Sequence, residues 1–351
     1  MKLLMITRKV DEKDSSPAGF TYNWVKKIGQ KLEKLYVITW QRSNRGDLLN
    51  NIDIISLPDN KFFKIFVLQF KLLKILPKIN GVFCHQNPEY TILSTFLAKI
   101  FRKRIISWYT HGSINWRRHL LERLTNKIIT VSDKSFRKPL FPKKVKIVGH
   151  GIDVDYFIPS KQDKKINNKF RIISIGRISP AKDYETLIKA IEILIKERNI
   201  DNLGVQIVGG PVLKEDKKYF DNLKKLVKER NLEKYIKFLG PISHNQILSY
   251  YQDCDLFINM SHTGSVDKAV LEAMSCEKLV LTSNEAFEYI LRDDKLMFEQ
   301  LNHQDLVKKI INLMNLSEEY RKEIIKRLRD EVIKNHNLDK LVKKILNCYE
   351  K

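Results

Sequence analysis

Short runs of Val, Ile and Leu that alternate with longer helical stretches constrain the fold of this 351-residue chain more than any other feature. Apolar runs of roughly four to eight residues are typical of buried strands, and their alternation with helices indicates parallel sheets covered on both faces. In the first half, the predicted strands are Lys2–Thr7, Leu35–Trp40, Ile52–Leu57, Gly81–His85, Arg104–Tyr109, Lys127–Val131 and Lys144–Val148. In the second half, they are Phe170–Ile175, Gly204–Val208, Ile236–Leu239, Leu256–Met260 and Lys278–Thr282, with a weaker candidate at Leu296–Phe298. The sequence therefore predicts an α/β fold built from doubly wound parallel sheets.

The chain is longer than one ordinary hydrophobic core can organise, so we expect two domains. The polar segment 159–169 carries no apolar period and is the best candidate for a linker. We therefore predict an N-terminal domain at residues 1–158 and a C-terminal domain at 170–335. Because open α/β sheets bind ligands beyond the carboxyl ends of their strands, we expect the chemistry in a cleft between the domains.

Two stretches of the second half are suited to binding an anion that carries a sugar. In residues 172–182, an apolar strand ends in a Gly turn and is followed by Arg177 and Lys182, two cations suited to a diphosphate. Residues 264–274 place Glu272 a few residues into a helix whose first turn has free backbone N–H groups. A carboxylate at that position can accept hydrogen bonds from sugar hydroxyls. Together the two stretches predict the binding of a nucleotide-sugar.

The sequence also argues against several classes of protein. No apolar run approaches the roughly 18 to 20 residues of a membrane-spanning helix, and the run at Met1–Thr7 is too short for a signal peptide, so we expect a cytoplasmic protein. No carboxylate, His or Cys cluster has metal-ligand spacing, so no metal is predicted. The four cysteines form no Cys-x-x-Cys pair and are expected to be buried free thiols: Cys84, Cys254, Cys276 and Cys348.

Positive charge is concentrated in the first half of the chain. Residues 1–160 contain 29 Lys and Arg against 12 Asp and Glu, which accounts for +17 of the net charge of +23. This asymmetry indicates a polyanionic partner, namely a membrane surface, a nucleic acid or an anionic acceptor. An AT-biased genome would explain many lysines but not their concentration in one half. We do not expect a nucleic-acid partner, because no helix-turn-helix, RNP-like aromatic or zinc motif is present.

Residues 61–78 form a basic and apolar stretch with helical spacing. On a helix, the lysines at positions 61, 64, 71, 74 and 78 fall within an arc of about 140°, and the remaining residues are almost wholly apolar. Such a helix can lie at a membrane interface, and a second basic cluster follows at residues 102–104. The predicted membrane-contact residues are Lys64, Phe66, Lys71, Lys74, Arg102 and Lys103. The alternative is a helix that packs its apolar face on the first sheet and leaves its lysines in water.

A series of short motifs follows the predicted strands in order. The motifs are Ala18-Gly19-Phe20, Thr110-His111-Gly112, Thr130-Val131-Ser132, Gly151–Pro159, Gly176–Lys182, Val208–Gly210, Phe238–Gly240 and Leu271–Met274. Each motif is weak alone, but their order and spacing over nearly the whole chain resemble a family 4 glycosyltransferase. That family has the GT-B architecture, in which two Rossmann-like domains face each other across a cleft. The resemblance also implies that the C-terminal helix at 338–351 joins the first domain.

The resemblance implies a retaining transfer of a hexose-type sugar from a nucleoside diphosphate sugar, without a metal or other cofactor. Together with the basic first half of the chain, the resemblance predicts a glycan or lipid-linked acceptor in cell-envelope or polysaccharide biosynthesis, and a peripheral protein on the inner face of the cell membrane. Arg177 and Lys182 would act at the diphosphate, Glu272 at the ribose and His111 at the reacting sugar. The implied donor contacts are Gly19, Gly209, Phe238, Leu239, Gly264, Ser265, Asp267, Lys268 and Leu271.

One position departs from the family's pattern. The first Glu of the family's Glu-x7-Glu signature should stand eight residues before Glu272, where this chain has Gly264. We expect Asp267 to replace that carboxylate at the sugar and Lys268 to add a diphosphate contact, the alternative being a surface ion pair between them. The departure leaves open two other functions for the same fold, a sugar-nucleotide epimerase and a relative without activity.

Overall fold

The computed structural model describes residues 1–16, 19–160 and 169–350. The chain divides into two compact units: unit 1 comprises Met1–Asp153 and Asn335–Lys351, and unit 2 comprises Val154–Lys334. The first segment of unit 1 ends at Asp153, five residues before the domain boundary that the sequence predicted at residue 158. Most of the predicted linker, residues 161–168, lies outside the described residues, as does Ala18 of the first motif.

Unit 1 is built on a seven-stranded sheet in which every strand pair is parallel. Its strands are β1 (Lys2–Thr7), β2 (Lys34–Thr39), β3 (Ile52–Ser56), β4 (Gly81–His85), β5 (Arg104–Trp108), β6 (Lys127–Thr130) and β7 (Val145–Ile147). Its helices are α1 (Thr21–Gly29), α2 (Lys61–Ile75), α3 (Pro88–Ile100) and α4 (Trp116–Leu124). The order β3-β2-β1-β4-β5-β6-β7 shows that the chain winds outward from β1 in one direction and then, from β4, in the other.

Unit 2 repeats this plan with five parallel strands in the order β10-β9-β8-β11-β12. The strands are β8 (Phe170–Ile175), β9 (Leu203–Val208), β10 (Ile236–Gly240), β11 (Leu256–Asn259) and β12 (Leu279–Thr282). The helices are α5 (Tyr184–Lys196), α6 (Lys214–Glu229), α7 (Leu248–Asp253), α8 (Lys268–Ser275), α9 (Glu288–Leu291), α10 (His303–Met314) and α11 (Glu318–Asn335). The direction of winding reverses between β8 and β11, which is the position where doubly wound sheets bind ligands.

The structure confirms the predicted α/β fold with two doubly wound parallel sheets. Successive residues of β1, such as Leu3, Leu4 and Met5, are at most 1% exposed, so both faces of the strand are covered. The prediction of a weak strand at Leu296–Phe298 was wrong. A 3₁₀ turn covers Asp294–Leu296, and Met297 forms only one isolated bridge, with Thr282. Leu296 and Phe298 are buried but do not continue a ladder.

The C-terminal segment packs within unit 1. Its last helix, α12 (Leu338–Leu346), begins where Leu338 N donates to Ile152 O at 2.8 Å, and Ile152 N donates to His336 O at 2.8 Å. Near the end of the chain, the Tyr349 hydroxyl donates to Val82 O at 2.7 Å. These bonds fix both ends of the segment to strands or loops of the seven-stranded unit.

Candidate functional site

The carboxyl ends of β8, β9 and β10 are joined by backbone hydrogen bonds between their loops. Gly176 N donates to Val208 O at 3.0 Å, and Gly209 N donates to Gly240 O at 2.9 Å. Gly209 has φ +134°, and a Cβ added there would lie 1.8 Å from Gly176 O. Only glycine allows this close approach, so the predicted donor contact Gly209 also has a structural role in shaping the edge.

Lys182 links the loop after β8 to the start of α8, at the position where the winding reverses. Its Nζ lies 2.8 Å from Asp267 Oδ1 and 3.2 Å from Ser261 Oγ. The second oxygen of Asp267 accepts a hydrogen bond from Asn259 Nδ2 at 3.1 Å. Asp267 is the N-cap residue of α8 and stands three residues after Gly264, which has φ +62°. The structure thus pairs Asp267 with Lys182, whereas the sequence suggested contact with Lys268 or with a sugar.

Arg177 lies in the loop directly after β8. Its side chain is 38% exposed, and its Nε lies 3.9 Å from Asp216 Oδ2. Asp216 is buried and accepts hydrogen bonds from Leu213 N and Val212 N at the start of α6. The guanidinium group therefore remains accessible beside the loop edge, where it could reach an anion. A bidentate contact to phosphate oxygens is a common role for such an arginine.

Glu272 is 7% exposed and has protein partners at both carboxylate oxygens. Its Oε2 accepts a hydrogen bond from the Tyr251 hydroxyl at 2.7 Å, and Oε1 lies 3.2 Å from His244 Nε2. Burial raises the pKa of the Glu272 carboxyl, but the hydrogen bond and electrostatic interaction with His244, the hydrogen bond from Tyr251 and the nearby Lys268 together hold that pKa below its usual value. The carboxylate is therefore kept ionised and is fixed in orientation by its two partners.

Lys268 occupies the first turn of α8, and its Nζ is buried. Burial pushes the pKa of this amine well below its usual value, although the nearby charge of Glu272 opposes the shift. A covered amine with a lowered pKa is less suited to a diphosphate than Lys182, so the predicted phosphate contact at Lys268 remains a prediction without geometric support. Leu271, on α8, is fully buried, so its side chain belongs to the core.

The remaining predicted donor contacts of unit 2 lie on the same edge. Phe238 is half-buried on β10 with its ring 5.3 Å from that of Phe220, and the neighbouring Leu239 is 36% exposed. The loop before α8 is fixed where Asn284 Nδ2 donates to Ser265 O at 2.8 Å. These residues surround the ends of β10, β11 and β12 and could contact a nucleoside or a sugar.

Unit 1 carries two predicted site residues. His111 follows β5, meets the Tyr109 ring edge-on at 5.3 Å and remains accessible, while desolvation by the surrounding atoms lowers the pKa of its imidazole. The ring is therefore mainly neutral at neutral pH, so it can donate one hydrogen bond and accept another. Gly19 is buried in the loop between β1 and α1, where its N–H donates to Ser16 O at 3.0 Å.

Lys64 requires a correction, because the sequence placed it among the membrane-contact residues. It is 7% exposed, its Nζ donates to Trp40 O at 2.8 Å, and it lies over the Trp40 ring. The Trp40 carbonyl, directly after β2, therefore binds the Lys64 ammonium group inside the protein. The other predicted contacts reach the surface to different degrees: Phe66, Lys74 and Arg102 are exposed, whereas Lys71 and Lys103 are half-buried.

Sequence reasoning missed the residues that hold the site together. His244 and Tyr251 orient Glu272, while Asn259 and Ser261 support the pair of Lys182 and Asp267. The position of Asn259 at the end of β11 was a usable signal, because the ends of parallel strands meet at one edge. Within the described residues, no group of three or more His, Cys, Asp or Glu side chains could hold a metal ion. Among the described helices, none has the length and hydropathy needed to cross a bilayer.

Comparisons with known proteins agree with this architecture. Residues 158–331 match the family model described as glycosyl transferases group 1. An uncharacterized glycosyltransferase of Methanocaldococcus jannaschii is 22% identical over 338 residues, covering 87% of this chain and 82% of its own. The alpha-monoglucosyldiacylglycerol synthase of Acholeplasma laidlawii is 22% identical over 327 residues, covering 80% of each chain.

The fold is also shared with solved structures. The HepE protein of Anabaena, crystallised with UDP, superposes with a TM-score of 0.80 over 100% of both chains at 16% sequence identity. This likeness establishes the two Rossmann-like units of a GT-B fold. The family match and the relatives support a group 1 glycosyltransferase.

Proposed function

We propose that this protein is a retaining, family 4-like glycosyltransferase that moves a hexose-type sugar from a nucleoside diphosphate sugar to a glycan or lipid-linked acceptor. The observation that carries the proposal is the ion pair between Lys182 and Asp267, the N-cap residue of α8. This pair lies where the winding of the unit 2 sheet reverses, between β8 and β11. Arg177 lies in the same loop as Lys182. This edge therefore combines two cations, a helix start and an oriented carboxylate, which together suit a nucleoside diphosphate.

Each residue has a distinct role in the proposed reaction. Arg177 and Lys182 neutralise charge that develops on the diphosphate as the bond to the sugar breaks, so the protein itself supplies the stabilisation that a metal ion could otherwise give. Glu272, held by Tyr251 and His244, accepts hydrogen bonds from ribose hydroxyls. His111, as a neutral imidazole, hydrogen-bonds the reacting sugar. The reaction needs no cofactor beyond the nucleotide-sugar.

Two further observations support the choice of donor and acceptor. A protein with the same fold was crystallised with UDP, which favours a UDP-sugar as the first donor to test. The relative from Acholeplasma laidlawii is a synthase whose name specifies a glucosylated diacylglycerol, a lipid product. The basic excess of residues 1–160 suits the same interpretation, with a peripheral protein acting at the anionic inner surface of a cell membrane in envelope or polysaccharide biosynthesis.

Gly264, in place of the expected Glu, favours a second candidate function, a relative of the same fold without transferase activity. The pairing of Asp267 with Lys182 favours the active form, because it retains a carboxylate near the helix start. An epimerase would convert the nucleotide-sugar without releasing its nucleoside diphosphate, so product analysis separates the three possibilities.

The test is a turnover assay with UDP-glucose, UDP-galactose, UDP-N-acetylglucosamine and GDP-mannose, each with vesicles that contain diacylglycerol. We expect one donor to release its nucleoside diphosphate and to give a glycolipid whose anomeric configuration, read by proton NMR, equals that of the donor. Arg177→Ala should lower kcat/KM by about a hundredfold, because a charge aimed at the leaving group is lost. An inverted product, an epimerised donor, or no release from any donor would contradict the proposal.

A further inference from the structure

Helices α2 and α3 of unit 1 expose an unusual number of aromatic side chains. Phe62 is 89% exposed, Phe66 69% and Phe96 72%, and Phe63, Phe70 and Ile100 are also exposed. We call these six residues, five phenylalanines and Ile100, the phenylalanine face. Single exposed apolar residues are common on protein surfaces, but a group of large aromatic side chains on adjacent helices indicates an interaction surface.

The phenylalanine face is a fixed part of the fold. Helix α2 buries one stripe, Lys64, Leu68, Leu72 and Ile75, and so directs its phenylalanines outward. Asn60 caps the helix by accepting hydrogen bonds from Phe62 N and Phe63 N at 3.1 and 3.2 Å. Gln69 Nε2 donates to Leu93 O at 2.9 Å and joins α2 to α3. The exposed rings therefore stand on a capped and packed helix pair.

Positive charge surrounds this face. Exposed basic residues flank the rings on both helices: Lys61, Lys74 and Lys78 on or next to α2, and Lys99 and Arg102 at the end of α3. The Lys74 Nζ lies 4.2 Å from the centre of the Phe70 ring. No Asp or Glu occurs between Asp59 and Glu89, so the segment that carries α2 has no negative charge.

We propose that the phenylalanine face enters the boundary between headgroups and acyl chains of an anionic bilayer, while the surrounding lysines contact lipid phosphates. A bilayer fits because it offers an apolar layer directly beneath a layer of negative charge, which matches rings flanked by cations on one helix. The structure assigns the contact to the outward phenylalanines of α2 and α3, and excludes Lys64, whose ammonium is bonded inside the protein. The inference deepens the proposed function by naming the surface through which the protein meets a lipid-linked acceptor.

The test uses the full-length protein and flotation with vesicles of phosphatidylcholine alone or mixed with phosphatidylglycerol. We expect binding to the anionic vesicles that weakens with salt, and little binding to phosphatidylcholine. The double variant Phe62→Ser/Phe66→Ser should bind the anionic vesicles at least about tenfold more weakly, because the apolar contact is lost. Lys74→Glu/Lys78→Glu should weaken binding at low salt and lose its difference from wild type at high salt.

The matched control is Tyr289→Ser, which removes a side chain of unit 2 that is 72% exposed. It should bind vesicles like the wild type. Failure of the wild type to bind anionic vesicles, or undiminished binding by the phenylalanine variant, would overturn the proposal. So would a wild-type dimer in gel filtration that the phenylalanine variant converts to a monomer, since a second copy would then cover the face.

Nucleotide binding, measured by thermal stabilisation of the same preparations, keeps this test separate from the proposed function. The phenylalanine variant should retain the wild-type response to UDP, because the substituted residues lie in unit 1 and the diphosphate loops in unit 2. Loss of vesicle binding by this variant, with an intact UDP response, would show that the phenylalanine face acts in membrane binding and not in nucleotide binding. A wild type that binds vesicles but no nucleotide would contradict the proposed function, while membrane binding by the phenylalanine face would still be supported.

Discussion

Lys182 has a carboxylate partner inside the protein, so a diphosphate bound as proposed would compete with Asp267 for the same ammonium group. The two side chains are 16% and 21% exposed, which places the pair in a partly desolvated environment where charge interactions are stronger than in bulk water. Asn259 and Ser261 add hydrogen bonds that orient the pair. Asp267 therefore both positions Lys182 and opposes the binding of an anion.

Replacing Asp267 with Asn tests this competition. Asn keeps the size and one acceptor oxygen but removes the negative charge, so UDP should bind roughly threefold to tenfold more tightly than in the wild type. The measurement is the UDP dissociation constant from calorimetry, with Asp221→Asn, at an exposed position of α6, as the control for a change of net charge. Weaker or unchanged binding in Asp267→Asn would show that the pair does not face the diphosphate.

The connection between α11 and α12 depends on a neutral histidine. His336 is 5% exposed, and its Nδ1 accepts a hydrogen bond from His150 N at 2.9 Å. Burial, with a smaller effect from the charge of Lys344, lowers the pKa of His336 to about 4. Protonation would place a charge in this buried position and remove the acceptor for His150 N. The junction that returns the chain to unit 1 should therefore be sensitive to acid.

This histidine predicts how stability depends on pH. Because the folded pKa lies below the unfolded value of 6.5, its contribution is fully present above pH 6.5 and is lost as the pH falls toward 4. Between these limits the wild type should lose about 3 kcal/mol more unfolding free energy than His336→Asn, which keeps an acceptor but does not titrate. Urea unfolding from pH 7 to pH 4 measures the difference, with His303→Asn as the control. Parallel pH curves for wild type and His336→Asn would refute the assignment.

Most strands were predictable because they are short runs rich in Val, Ile and Leu, separated by polar or helical segments. Their parallel order then brings the loops after β8 and β11 to one edge, so the locations of Arg177 and Lys182 followed from the sequence. The partners of these residues did not follow, because loop geometry brings together residues as distant in sequence as Lys182 and Asp267. The inward orientation of the Lys64 side chain could not be predicted either, because a helical pattern does not show that the Trp40 carbonyl lies within reach of its ammonium group.

The two units differ in charge and in the chemistry that they present. Residues 1–160, almost all of them in unit 1, hold +17 of the net charge of +23 and include the phenylalanine face. Unit 2 presents the accessible Arg177, the paired Lys182 and the fixed carboxylate of Glu272. Unit 1 is thus suited to a lipid surface and unit 2 to a nucleoside diphosphate. This difference agrees with the proposed transfer of a sugar to a membrane acceptor.

The most direct test of the central claim is the binding of UDP and GDP to the purified protein by calorimetry, with thermal stabilisation as a second readout. We predict that one nucleotide binds the wild type, and that Arg177→Ala and Lys182→Ala each weaken it at least about tenfold, because each removes a cation from the diphosphate. Arg198→Ala, at an exposed arginine just after α5, should leave the affinity unchanged. Absence of nucleotide binding in the wild type, or wild-type affinity in both cation variants, would contradict the account.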